Sequence, residues 1–402
     1  MARPGAAGDA LAAAPSLGLR RLLAGDGARR IAIQVLALAL VAAFILYIGE
    51  NVAQNLQRLG VRTGFDFLSR PAGFEISQAL LPYDEQSTYL TALLVALTNT
   101  VAVTLVCILL ATGIGFVIGL ARLSKNRLVA AAASTYVELF RNIPLLLHLL
   151  FWYFALLQPL PGPKNSLDIF GLVFLNNRGL FLPALTFDGP AGWPVAALLL
   201  GAALSIWLWR LARRRRVATG SLPLYAWLTP LPLVLLPAAA IIACGTQPGL
   251  SVPHLQGFNF RGGLNVIPEF VALAGALSLF EAAFVAEIVR GGISAIPRGQ
   301  IEAGQALGLS RLRVTIEIVV PLALRMIVPP LGAQYVQILK STSLAAAIAY
   351  PDLMLVFAGT TLNQTGQPLE VMAITLATYL GLGFALSAAT GFVNRRLALV
   401  AR

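Results

Sequence analysis

Few residues in this chain are equipped for chemistry. Only 11% of its 402 residues are charged, so charges that interrupt apolar runs stand out. The densest cluster is IEAGQALGLSRLRVTIEIVVPLALR, Ile301–Arg325, with Glu302, Arg311, Arg313, Glu317 and Arg325 between two apolar runs. Glu281 and Glu287 lie in the run before it, and Lys340-Ser341-Thr342-Ser343 closes the run after it. Glu138 and Arg141, three apart, can meet on one helix face, just ahead of Pro144. No nucleophile–base pair and no metal-ligand spacing is apparent, and His148 and His254 are isolated. Cys107 and Cys244 both fall within apolar runs, which argues against a disulfide framework or metal site. We therefore assign no catalytic residue, no metal and no cofactor. A phosphate-binding P-loop needs Gly-Lys followed by Ser or Thr. The lysines are Lys125, Lys164 and Lys340, and none follows a glycine.

The elements that must position these groups are apolar helices. Hydrophobic residues make up 58% of the chain, and runs of about 18 or more can cross a hydrocarbon core of about 30 Å. The runs are continuous rather than alternating, which favours helices over a barrel. The fold class is all-α, a polytopic membrane protein with about eight spans. They are expected near 31–48, within 89–120, within 129–157, and near 193–211, 226–244, 269–289, 322–339 and 371–393. The first is read as a retained anchor, since its apolar run exceeds a typical signal-peptide core. Eight spans place both termini on one side, and the segments on that side hold 21 of the 29 Lys and Arg. The excess marks it as cytoplasmic. The net charge of +12 is then a topology signal, compatible with contact to anionic lipid. It does not point to nucleic acid.

Local rules make the 290–321 segment two short helices at an angle. Pro297 can open the first, Gly308 suits its C-terminal cap, and Ser310 can cap the second, which carries Leu312, Ile316, Val319 and Val320 before Pro321. The segment could be an amphipathic connector on the membrane or a docking element for a soluble partner. Glu302-Ala303-Gly304, Gly308, Ile318 and Pro321 match in spacing the EAA loop of permease subunits of bacterial ABC importers, with Gly304 for the second Ala and Val320 for Leu. TNTVAVTLVCILLATGIGFVIGLARLSKN, YVELFRNIPLLLHLLFWYF, AEIVRGGISAIPRGQIEAGQALGLSR and PPLGAQYVQILKSTSL resemble successive blocks of the polar amino acid permeases. The longer N-terminal and external parts resemble the larger permeases of general L-amino acid importers.

That resemblance implies a type I importer permease core and a transmembrane subunit of an ATP-driven amino acid importer. The implied location is the bacterial inner membrane, with both termini cytoplasmic. The implied partners are an ATP-binding subunit, a homologous or identical permease, an external amino acid-binding protein and membrane lipid. The chain divides into 1–88 (tail, first span, external loop), 89–157 (first part of the core), 158–268 (external segments with an inserted pair of spans) and 269–402 (second part of the core with the EAA loop). The resemblance places Glu302, Ala303, Gly304, Gly308 and Pro321 at the ATPase. Glu281, Gln337, Lys340, Ser341 and Thr342 are candidates for the substrate pathway. Glu281 could meet a substrate amino group, or be paired or protonated. Lys340 could snorkel while the hydroxyls bond their own helix, or the group could face a substrate carboxylate. Related permeases often carry Asp where this chain has Ser341, and its absence disfavours a cationic preference. Glu287 is expected to pair with an arginine such as Arg290. A secondary transporter is the alternative class, but it would show coupling-ion sites and usually inverted repeats, and no internal repeat is evident.

Overall fold

A computed structural model describes residues 26–58, 60, 63–188, 192–219, 223–245 and 247–397. The expected tail, with Arg3, Arg20 and Arg21, and residues 398–402 lie outside the described residues. The chain divides into two compact units. The smaller comprises residues 1–65 and 365–370. It holds helix α1 (Asp26–Arg58), whose described apolar side chains from Ile31 to Ile48 are all exposed, as a lipid-facing helix requires.

The larger unit is the core. Its main helices are α2 (Tyr89–Ala121), α3 (Arg127–Asn142), α4 (Leu145–Leu157), α5 (Gly192–Thr219), α6 (Leu231–Ala243), α7 (Pro268–Ser294), α8 (Arg298–Ala306), α9 (Arg311–Ile348) and α10 (Pro368–Leu397). Among the described residues, α1, α2, α7, α9 and α10 are long and apolar enough to cross a membrane, and α3 with α4 forms a sixth candidate bent by 102°. Pro144 sits at that bend, where its ring and missing N–H stop the α3 ladder. The expected fourth and fifth spans have shorter apolar parts, Ala196–Ala212 and Leu231–Ala243.

Helices α2 and α7 pack closely because small residues line the contact. A Cβ built on Gly115 would lie 2.5 Å from Val285 Cβ, and one on Gly119 would lie 2.8 Å from the Ala286 carbonyl. Backbones come this close in membranes where side chains are small. Around the seam, Val103, Cys107, Ala111, Leu273, Ala276 and Leu277 are buried together with Ile338 of α9. Tyr136 Oη of α3 donates to the Leu279 carbonyl of α7 at 2.6 Å, fixing the bent pair against the core.

The segments between α4 and α5 and between α6 and α7 are not irregular loops. Strands β1 (Leu167–Ile169), β2 (Val173–Asn176), β3 (Gly179–Leu182) and β8 (Leu264–Val266) form an antiparallel sheet in the order β1-β2-β3-β8. Strands β4 (Ala184–Asp188) and β5 (Gln247–Ser251) pair antiparallel, as do β6 (His254–Gln256) and β7 (Asn259–Arg261). Phe174, Phe181 and Phe260 stack between them, with ring centroids 4.6 and 4.9 Å apart.

Candidate functional site

The charged loop is built from α8, a turn and the start of α9. Pro297 precedes α8 as its cap residue, with the helix starting at Arg298. After α8 the Gly308 N–H donates to Gln305 O (2.9 Å) and the Leu309 N–H to Gly304 O (3.2 Å), a paired closure that satisfies carbonyls at the helix end. It requires a left-handed residue, and Gly308 has φ +78°. Ser310 Oγ then accepts from the Arg313 N–H at 3.4 Å, capping α9. The turn therefore has one conformation set by Gly308 and Ser310, as local rules anticipated. Glu302, Ala303 and Gly308 are exposed on it, and Leu307 is 82% exposed.

Gly304 is buried: a Cβ there would sit 2.6 Å from Ile318 Cδ1 and 3.2 Å from Val314, so this glycine seats α8 on α9. One expectation about this loop needs correction. The second helix does not end near Pro321. It runs on as α9, because residues Val314–Val319 form a π turn and the Val320 N–H bonds Thr315 O. Such a wider turn accommodates the proline that follows. Pro321 lies 13 residues beyond Gly308, half-buried in the helix.

The base of the loop is tied by charge. Glu287 of α7 accepts from Arg290 and also from Arg122, just past the end of α2. The Arg290 pairing follows from their spacing. Arg122 is 165 residues away, and no local signal finds it. The expected Glu138–Arg141 contact is not formed among the described residues. Arg141 instead lies over the Phe284 ring, 5.2 Å from its centroid, where the ring quadrupole attracts the guanidinium. His148 stacks on Phe140 inside the bend, with ring centroids 4.9 Å apart.

The candidate pathway residues separate into two groups. Glu281 is 1% exposed, and its carboxyl group accepts from the Gln334 amide of α9. Six residues further along α9, Lys340 is exposed and Gln337 Nε2 reaches Ser341 Oγ at 3.5 Å. Thr342 Oγ1 donates to Leu339 O and Ser343 Oγ to Lys340 O, each at 2.8 Å, so these hydroxyls bond their own helix. Lys340 borders a cavity of about 430 Å³ between α9 and α10, with Val336, Tyr379, Gly383, Phe384 and Ser387. A second cavity of about 260 Å³ shares Val336 and Ser387 and extends past Gly332 to Asn394. The pair forms a track along α9 and α10. Lys340 is its cation, and no ion pair to it is present among the described residues.

A helical core with a small-residue seam, a capped charged turn and a largely apolar groove between two long apolar helices is the architecture of a polytopic membrane protein. The chain belongs to the family of binding-protein-dependent transport system inner membrane components, which matches residues 111–399. It is 44% identical over 370 residues to a putative amino-acid ABC transporter permease, YhdX, of Escherichia coli, covering 92% of this chain and 94% of that one. It is 43% identical to the general L-amino acid transport system permease AapQ of Rhizobium johnstonii, covering 93% of each. Identity is 38% with the glutamate/glutamine/aspartate/asparagine transport system permease BztB of Rhodobacter capsulatus, covering 93% and 95%. The chain is thus a multi-pass inner membrane permease subunit of an ABC importer, with no catalytic role of its own.

Proposed function

We propose that the importer carries amino acids and that the Gly308 turn docks on a separate ATP-binding subunit, whose closure it passes to the spans. Supporting the substrate class are relatives named for general L-amino acid transport and for glutamate, glutamine, aspartate and asparagine transport, matched over nearly their whole length. The observation that carries the docking role is the turn itself. It presents Glu302, Ala303, Leu307 and Gly308 outward on a backbone fixed at both helix ends. The chain pairs with an identical or homologous permease and receives substrate from an external amino acid-binding protein. Both termini lie on the cytoplasmic side, because Lys and Arg concentrate in the segments on that side. An even number of spans keeps this parity whether or not the short α5–α6 pair crosses.

Gly308→Val tests the docking role. A β-branched residue at φ +78° is strained by about 1–3 kcal/mol, and a Cβ there meets no neighbour, so strain rather than a clash re-aims the turn. Membrane insertion should be intact, while ATPase recovery falls or hydrolysis uncouples from uptake, measured in the same vesicles. Normal recovery with normal uptake would rule the turn out as the coupling element.

A further inference from the structure

At the end of the core remote from the Gly308 turn, the chain between α9 and α10 forms a hairpin from a buried turn at 349–352 and a π-helical stretch, Met354–Thr361. Asn99 and Arg122 are 23 residues apart along α2, about 35 Å of helix. The hairpin begins at Ala349, a non-glycine residue in the left-handed region at φ +60°. Strain of this kind persists only where surroundings enforce it, and here they do. Tyr350, Asp352 and Leu353 are fully buried. Asn99 Nδ2 donates to the carbonyls of Pro351 (2.9 Å) and Gln78 (2.7 Å). Tyr350 Oη donates to Asn99 O at 3.1 Å, and the Leu353 N–H donates to Thr100 Oγ1 at 3.0 Å. The hairpin is therefore held to α2 by neutral hydrogen bonds and by apolar packing of Leu353, Val356 and Phe357 with Ala92, Val95 and Ala96, with no ion pair among the described residues.

Its link to α10 is different. Asp352 Oδ1 accepts from the Leu355 N–H at 2.8 Å, within the hairpin, whereas Oδ2 accepts from Tyr379 Oη at 3.1 Å. No ion pair to Asp352 is present among the described residues. Tyr379 also borders the cavity that contains Lys340. One phenol thus touches both the α9–α10 cavity and the buried carboxylate of the hairpin. A buried acceptor that loses its donor costs free energy, and more so when charged. A group in the cavity that takes the Tyr379 hydroxyl would therefore loosen the hairpin.

We propose that Tyr379 is a positioning residue that relays occupancy of the α9–α10 cavity to the 349–361 hairpin. The occupant is a small molecule bearing a carboxylate, which Lys340 attracts and whose oxygen competes with Asp352 for the Tyr379 O–H. With the cavity empty, the Tyr379–Asp352 bond keeps the hairpin closed, and occupancy releases it. This rests on the reading of the chain as an amino acid importer subunit, and the experiment separates the two.

The whole transporter, with its ATPase and binding protein, is reconstituted in phosphatidylcholine vesicles. Hydrolysis is measured without and with L-glutamate, L-glutamine and L-leucine. Tyr379→Phe removes only the hydroxyl. It is expected to raise hydrolysis without amino acid and to cut the ratio of stimulated to unstimulated rates by about fivefold or more, the size of an ordinary coupling free energy. Asp352→Asn keeps a hydrogen-bonding partner for the phenol and should retain more of that ratio than Tyr379→Phe. A Tyr379→Phe transporter with an unchanged ratio overturns the relay. So does a ratio that falls equally in both variants, which would mark Asp352 and Tyr379 as a purely structural pair. Parallel vesicles containing phosphatidylglycerol guard against a lipid occupant. Stimulation that follows the anionic lipid rather than the amino acid also overturns the proposal. A wild-type transporter that no amino acid stimulates defeats the importer reading itself.

Discussion

The two ends of the core are fastened by different forces. At the end bearing the Gly308 turn, α2 and α7 are joined by Arg122, Glu287 and Arg290, and the Glu287 side chain keeps 32% exposure. At the opposite end, α2 holds the hairpin through Asn99 and Thr100, both fully buried, with neutral hydrogen bonds. A half-exposed ion group tolerates displacement, because water and salt replace what is lost. A buried hydrogen bond has no such substitute. One end is thus tied by charges that water can replace, and the other by groups that cannot be left unpaired without cost.

The largest effect is therefore expected at Asn99. Asn99→Leu leaves the carbonyls of Pro351 and Gln78 without their donor. A buried unpaired group costs roughly 1–3 kcal/mol, and the Gln78 carbonyl, only partly buried, costs less than the Pro351 one, so about 2–4 kcal/mol of stability should be lost. Thermal unfolding in detergent reads this directly, and the loss should be the same in low and high salt. A midpoint within error of wild type would mean the remote end is not held by these bonds.

How much of this was legible in the sequence depends on the range of each interaction. Six of the eight expected spans follow from hydropathy, because a run long enough to cross lipid is a local property, whereas the two expected near 193–211 and 226–244 have shorter apolar helices. The bend at Pro144 and the turn at Gly308 and Ser310 follow from rules acting over three or four residues. Each tie that matters between helices joins residues far apart in sequence: Arg122 with Glu287, Gln334 with Glu281, Asn99 with Pro351. No local pattern encodes them. Arg141 shows the limit of spacing rules, since a carboxylate three residues away lost to an aromatic ring on another helix. The strands between 167 and 266 were missed for another reason. They are three to five residues long, too short for alternation to register. Their turns did carry a signal, in Gly171, Gly179, Gly257 and the pair Gly262-Gly263, all with positive φ. Gly punctuation between short apolar runs reads as hairpins. Pro321 misled in the opposite direction, because a π turn absorbs the proline that would end an ordinary helix.

A smaller effect, and one of different character, is expected at the charged end. Glu287→Gln removes the anion shared by Arg122 and Arg290, leaving two like charges at one site. For a group between the exposed and buried limits the loss should be about 1–3 kcal/mol. The comparison predicts a salt response that Asn99→Leu lacks. Raising ionic strength screens the arginine pair and should narrow the gap between Glu287→Gln and wild type. If the gap is as wide in high salt as in low, or if Asn99→Leu shows the same narrowing, the two ends do not differ in the way described.

The smallest effect sharpens the comparison inside the turn itself, where two glycines four residues apart serve different purposes. Gly308 is there for its backbone: φ is +78°, and open space surrounds the position of a Cβ. Gly304 has an ordinary helical backbone and is there for its size, since a Cβ would come 2.6 Å from Ile318 Cδ1 and 3.2 Å from Val314 Cγ2. Those obstacles are the ends of side chains, and the Ile318 side chain is only half-buried, so it can turn aside. The cost of such a shift is about 0.5–1.5 kcal/mol, that of one strained rotamer. Alanine also adds helix propensity of about 1 kcal/mol over glycine, which offsets much of it. Gly304→Ala should therefore leave stability nearly unchanged and ATPase recovery close to wild type, while Gly308→Val lowers recovery. The measurement is co-purification of the ATPase with each variant under one protocol. Equal loss in both would mean that packing of α8 on α9, and not the left-handed turn, sets the docking surface.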